Sequence, residues 1–194
     1  MQAKNNTFVY ILKIFLPLLL ICAAVAGVIS GISVLTKGAR EANDLKIEQK
    51  KEQQKLDAIA EIYGADAELT KLRETFDGID EVRVGKDKNG GTIATVTLTV
   101  KGYSNGLQVF VAFADGGEVR RVMVLASNET SGIGSKVSDE EYLKGYEGLS
   151  GDITFGDQID KIAGASVSSK ALLGAVNAAS DVYESLRRPT GGAD

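Results

Sequence analysis

Three hydropathy patterns follow one another along the chain. From Ile14 to Leu35 the positions are apolar apart from Ser30 and Ser33 and the tolerable residues Pro17, Gly27 and Gly31. As a helix this run spans about 33 Å, enough for a hydrocarbon core of about 30 Å. A cleaved signal peptide would use Lys4 and Lys13 as its basic region, Ile14–Ala23 as its core and Ala24-Val25-Ala26 as its cleavage site. The run continues through Val28, Ile29, Ile32, Val34 and Leu35, past the roughly 7–15 residues of a signal core, which favours an uncleaved anchor. Leu19-Leu20-Ile21 lacks the small residue expected before a lipoprotein cysteine, so Cys22 reads as a side chain facing lipid or another helix.

From Arg40 to Tyr63 the chain is rich in Glu, Lys, Gln and Ala, with sparse apolar positions at Leu45, Ile47, Leu56, Ile59 and Ile62. This is the pattern of a solvated helical stalk, whose charges need no further function. Gly64 should end it, and a short helix over Ala65–Phe76 is expected next. The period then changes to two. Glu81–Val84, Thr92–Val100, Leu107–Ala114 and Val119–Ala126 are rich in Val, Ile and Thr and predict strands. Asn89-Gly90-Gly91 and Asp115-Gly116-Gly117 fall between them as hairpin turns. Asp139–Tyr146 predicts a short helix, and Ser168 to about Leu186 a longer one. In the latter Leu172, Ala175, Val176, Ala179, Val182 and Leu186 form one core-facing stripe. Antiparallel strands followed by helices indicate an α+β domain, with helices on one face of the sheet. The expected organisation is a tail and transmembrane helix over 1–36, a juxtamembrane helical stalk over 37–64, a globular domain over 65–190 and a tail over 191–194.

Composition narrows the chemistry. The 194 residues contain no histidine and one cysteine. Ser-His-Asp and Cys-His nucleophiles, His-bearing zinc sites, intrachain disulfides and thiolate-held iron–sulfur clusters are all excluded. Of the 22 Lys and Arg residues, Lys4 and Lys13 precede the apolar run; the other 20 face 26 Asp and Glu, a net charge of −6. That balance speaks against nucleic acid as a partner. A polypeptide so poor in reactive side chains binds, scaffolds or borrows a cofactor.

Two segments carry candidate chemistry. Asn128-Glu129-Thr130-Ser131-Gly132-Ile133-Gly134-Ser135-Lys136 places two glycines where backbone can approach a flat ring and offer N–H groups. Read alone, it is a Ser/Gly-rich loop. Asp160-Lys161-Ile162-Ala163-Gly164-Ala165-Ser166 ends in a hydroxyl ahead of the last helix, where a phosphate would meet free N–H groups and the positive dipole end. Read alone, it is ordinary capping chemistry, with Ser168 or Ser169 as the N-cap.

Together, Glu-Thr-x-Gly-x-Gly and, about thirty residues on, Asp-x-x-small-Gly-Ala-Ser/Thr resemble the FMN-binding domain of membrane redox complexes. They follow an N-terminal anchor and a strand with Val122-Met123-Val124-Leu125. Length and arrangement look most like the G subunit of the Rnf ion-translocating electron-transport complex. The C subunit of the sodium-translocating NADH:quinone reductase is a related family and an alternative. This chain has Ser131 and Ile133 where the family commonly has Pro and Leu, Ala163 where Ser or Thr is usual, and Ser166 where Thr is usual. A primary hydroxyl can form the same phosphodiester.

The resemblance implies FMN bound covalently through its phosphate to Ser166, with Asp160 part of the signal read by a flavin transferase. It implies a phosphate held around Gly164, Ala165, Val167, Ser168 and Ser169, with Lys170 as a charge partner. It sets Glu129, Thr130, Gly132, Ile133 and Gly134 around the isoalloxazine ring and leaves open whether Tyr103, Tyr142 or Tyr146 stacks on it. The implied function is electron relay between flavin or iron–sulfur centres of neighbouring membrane subunits, in a complex passing electrons from ferredoxin to NAD with coupled Na⁺ or H⁺ movement. This subunit should have no NAD site of its own, since no Gly-x-Gly-x-x-Gly opens a helix after a strand. Counting Lys and Arg beside the anchor puts the large domain in the cytoplasm; the resemblance puts it on the extracytoplasmic side, which is the expectation adopted. The competing classes are a tethered binding domain without cofactor and an independent membrane-anchored flavin reductase.

Overall fold

The structure is a computed structural model that describes residues 3–188; the expected tail at 191–194 lies outside the described residues, as do the side chains of Lys4, Ile14 and Val34. It contains two compact units, one ending at Lys51 and the other starting at Glu52. The first is formed by α1, a helix whose full extent is Ala3–Tyr63. Leu18, Leu19, Leu20, Ile21, Ile29 and Ile32 are exposed around it, the arrangement of a helix whose solvent is lipid. It is the one helix among the described residues long and apolar enough to cross a bilayer. Pro17 lies inside it, which membrane helices tolerate.

The second unit is built on a five-stranded antiparallel meander: β1 (Thr70–Lys71), β2 (Glu81–Lys86), β3 (Thr92–Lys101), β4 (Asn105–Phe113) and β5 (Val119–Ala126). All adjacent pairs are antiparallel, with Val96 opposite Val111 and Val111 opposite Val122 in the centre. The β2–β3 and β4–β5 connections use the expected glycine turns, with Gly90 at φ +84° and Gly116 at φ +113°. After β5 come a 3₁₀ turn (Gly134–Ser138), α2 (Glu140–Lys144) and α3 (Ser166–Arg187).

Helices cover both faces of the sheet, not one. On the first face Leu172, Ala175, Val176 and Ala179 of α3 pack with Val96, Leu98, Val109, Val111 and Val122. On the other, Ala58 and Ile59 at the end of α1 bury Phe110 and Ala112. The reason is legible in β4, where Val109-Phe110-Val111-Ala112-Phe113 is an unbroken apolar run, as a strand covered on both sides requires. The last turns of the expected stalk are therefore core, with Ala58 3% and Ile59 5% exposed. Two tyrosines lock one end of the sheet from opposite layers. The Tyr63 hydroxyl lies 2.7 Å from the Phe113 carbonyl, and that of Tyr183 2.7 Å from the Ala114 carbonyl.

Two helix expectations are corrected. Ala65–Phe76 is not a helix; it turns after Gly64 and adds β1 to the sheet edge, extended by the Leu72 N–H donating to the Val82 carbonyl. Leu69, Leu72 and Phe76 have helical spacing, yet Leu69 joins the core under α1 while Leu72 and Phe76 join the core under α3. A segment dividing its apolar residues between two faces of a sheet cannot be an amphipathic helix. The second correction concerns α3, which starts at Ser166 with Ala165 as its N-cap, so neither Ser168 nor Ser169 is the cap. Gly164 at φ +82° and the Ala165 N–H donating to the Ile162 carbonyl reverse the chain early and launch the helix there.

Candidate functional site

The loop after β5 and the N-terminus of α3 are separated in sequence but meet at one end of the sheet. Between them is a cavity of about 380 Å³, within the range that small-molecule sites occupy. The first segment contributes Thr130, Ile133 and Gly134 to its lining, the second Gly164 through Ser168, and the β3–β4 turn adds Tyr103. Beyond α1, the exposed large apolar side chains among the described residues are Tyr103 at 72%, Ile133 at 51% and Val167 at 53%, and all three line this cavity. Isolated exposed apolar side chains are common; convergence of three on one hollow beside free helix amides is the signature of a binding site.

At the floor of the second segment the first intrahelical bond of α3 runs from the Ser169 N–H to the Ala165 carbonyl. The amides of Ser166, Val167 and Ser168 precede it, and no side chain caps the helix, so these donors and the dipole end remain available to an anion. The three serines differ sharply. Ser166 is exposed on the cavity, whereas Ser168 is 1% and Ser169 0% exposed. The Ser169 hydroxyl accepts the Ile162 N–H at 3.2 Å, and the Ser168 hydroxyl donates to the Glu129 carboxylate. Both are engaged in holding the loop and the helix start; Ser166 presents its oxygen.

Glu129 is the buried charge of the site, 9% exposed. Besides the Ser168 hydroxyl, its carboxylate accepts the N–H of Tyr103 at 3.3 Å and of Ser104 at 3.1 Å. It thus joins the β3–β4 turn, the loop after β5 and the first turn of α3. The space it needs explains two glycines. A Cβ on Gly102 would collide with the carboxylate, and one on Gly134 would lie 2.8 Å from Glu129 Oε2 and 3.1 Å from Ser168 Oγ. Glu129 does not line the cavity, in contrast to its expected place at the ring; it stands behind the wall.

Other expected residues are also set back. Gly132, at φ +78°, donates its N–H to Ser135 Oγ at 2.9 Å and shapes the loop without lining the hollow. Asp160 is exposed, and its backbone carbonyl accepts the Tyr142 hydroxyl at 3.0 Å. Lys170 is exposed and makes no ion pair among the described residues. Tyr146 is fully buried and Tyr142 packs edge-on against it, so of the three candidate tyrosines Tyr103 alone reaches the cavity. The backbone of Ser104 was not foreseen. No local signal could have found it, because its role depends on a carboxylate 25 positions away. Among the described residues no three Asp, Glu or Cys side chains are grouped to hold a metal ion.

An antiparallel α+β layer carries an apolar hollow beside an uncapped helix N-terminus and an exposed serine, an arrangement suited to a small ligand with an anionic group. Residues 102–181 match the model of the FMN-binding domain family. Over 92% of its length the chain is 24% identical to the G subunit of the Na(+)-translocating ferredoxin:NAD(+) oxidoreductase complex of Acetobacterium woodii, covering 94% of that protein. Among solved structures it is similar to NqrC of Shewanella oneidensis, at 23% identity and a TM-score of 0.42, over 56% of this chain and 62% of that one.

Proposed function

We propose that this chain is the membrane-anchored electron-transfer subunit of an Rnf-type complex, carrying FMN bound through its phosphate to Ser166. One observation carries the reading: two segments about thirty residues apart, each ambiguous alone, close around a single cavity on which Ser166 exposes its hydroxyl. Full-length likeness to a complex subunit, together with an FMN-binding domain and a candidate membrane helix, supports the assignment to a complex.

The residues present fit the group. Ile133 and Val167 give apolar walls for the ring. The free amides of Ser166, Val167 and Ser168 and the adjacent dipole end favour a phosphate. Lys170, one helical turn after Ser166, adds a positive charge on the same side of α3. FMN, when bound, supplies the redox chemistry that a histidine-free chain with one cysteine lacks. The protein's part is to hold the ring in a partly apolar hollow, fix the phosphate and leave an edge accessible for electron exchange with flavin or iron–sulfur centres of neighbouring subunits. Asp160, exposed ahead of the acceptor, belongs to the signal read by a flavin transferase during maturation. The complex so assigned passes electrons between ferredoxin and NAD and moves Na⁺ or H⁺. The large domain lies on the extracytoplasmic side, where a covalent link keeps the cofactor from being lost by dilution.

Peptide mass spectrometry across Ile162–Lys170 of protein from its native host tests the attachment. The expected result is an FMN-sized adduct on Ser166, and an ultraviolet-fluorescent band after denaturing electrophoresis. An adduct on Ser168 or Ser169 with Ser166 bare overturns the site, and an unmodified, colourless protein overturns the redox reading. Protease accessibility of the domain in intact spheroplasts decides its side.

A further inference from the structure

We infer that Tyr103 is the aromatic wall of the flavin pocket, contacting the isoalloxazine ring, and that Glu129 is the positioning residue that holds the turn bearing it. The inference rests on the FMN reading above and deepens it.

Tyr103 sits in the turn between β3 and β4, far in sequence from both motif segments, yet it lines the same cavity. It is the most exposed of the three large apolar side chains that converge there, at 72%. A hairpin turn has no need of an aromatic side chain, and a phenol ring this exposed leaves its apolar body in water. The other tyrosines of the domain are occupied: Tyr63 and Tyr183 lie against strand-end carbonyls, Tyr142 donates to the Asp160 carbonyl, and Tyr146 is buried. The flavin ring is flat, electron-poor and aromatic, which makes an electron-rich phenol a suitable neighbour, the pair preferring an offset or edge arrangement.

The turn is closed by the Gly102 N–H donating to the Ser104 carbonyl, and Asn128 Nδ2 donates to the Asn105 carbonyl just after it; Glu129 adds the link to α3. Both of its central amides, those of Tyr103 and Ser104, donate to the Glu129 carboxylate, and the same carboxylate accepts from Ser168 in the first turn of α3. One buried carboxylate therefore links the turn bearing Tyr103 directly to the helix start that bears Ser166. Gly102 and Gly134 leave it room, as an added Cβ at either would press on the carboxylate. A carboxylate holding two backbone N–H groups and a hydroxyl has its acceptor capacity directed at protein, away from the cofactor.

The test uses full-length, FMN-loaded protein in detergent and reads flavin fluorescence per mole of attached FMN, since a phenol or indole in contact quenches an excited flavin. Tyr103→Leu should raise emission by about twofold or more, Tyr103→Phe should raise it less, and Tyr103→Trp should lower it below wild type. Glu129→Ala should raise emission as far as Tyr103→Leu does, although the phenol is still present. Glu129→Gln, which keeps one acceptor oxygen, should recover part of the quenching, and it remains informative if the alanine variant does not fold. Equal emission in wild type, Tyr103→Leu and Tyr103→Trp overturns the contact. Wild-type emission in both Glu129 variants overturns the positioning role. Wild-type protein that carries no FMN overturns the functional reading itself, a distinct outcome.

Discussion

Lowering the pH should unfasten one side of the second unit, through Glu81. Its carboxylate accepts from Arg83 Nε at 2.6 Å, Lys71 Nζ at 2.9 Å and Lys55 Nζ at 3.2 Å, joining the end of α1 to β2. Burial by itself would raise the Glu81 carboxyl, but the hydrogen bonds from Lys71 and Arg83 and the charges of Lys55 and Arg83 outweigh it and hold it at about 2, against an ordinary 4.5. A folded-state pKa below the unfolded one gives stability that is complete above about pH 4.5 and lost as pH falls toward 2. The gap corresponds to about 3 kcal/mol at full strength. Lys71 is 61% and Glu52 42% exposed, so solvent screening leaves about 1–2 kcal/mol. Glu81→Gln should lose that amount at neutral pH and flatten the acid limb between pH 4.5 and 2. Urea titrations of the detergent-solubilised chain, followed by the near-ultraviolet circular dichroism of its tyrosines, measure both. If Glu81→Gln and the parent protein keep parallel stability profiles over that pH range, the carboxylate is not held down as reasoned.

Further outcomes follow from burial and close contact. Leu172→Ala empties a fully buried position in the α3 core, and should cost about 2–5 kcal/mol in the same titration. Gly134→Ala sets a methyl 2.8 Å from Glu129 Oε2; it should cost about 1–3 kcal/mol and reduce flavin loading, read as absorbance per protein. Ser166→Ala touches an exposed hydroxyl and should leave stability within about 0.5 kcal/mol, while abolishing the fluorescent band on denaturing gels.

Much of the fold was legible because it rests on local periodicity. The apolar run at 14–35, the four long strands, their glycine turns and the α3 stripe follow from side-chain spacing, and each appears within a few residues of its expected place. What misled was spacing whose partner is remote. Leu69, Leu72 and Phe76 imitate a helix because nothing in the segment says that two different cores will claim them. Ser168 and Ser169 imitate caps because a serine before a helix is ordinary, while their true partners, Glu129 and the Ile162 amide, are set by the packing of loop against helix.

At the site the same division holds. Composition excludes histidine-dependent and thiolate-cluster chemistry, and the family resemblance carried by two short motifs implies a borrowed, anionic, flat cofactor. Tertiary structure decided which hydroxyls are exposed, since only folding buries Ser168 and Ser169 and leaves Ser166 open. It also decided that Glu129 stands behind the wall and that Tyr103 completes it. The physical reason is that type and spacing are written along the chain, whereas exposure and hydrogen-bond partnership are properties of surfaces that exist only once distant segments have packed.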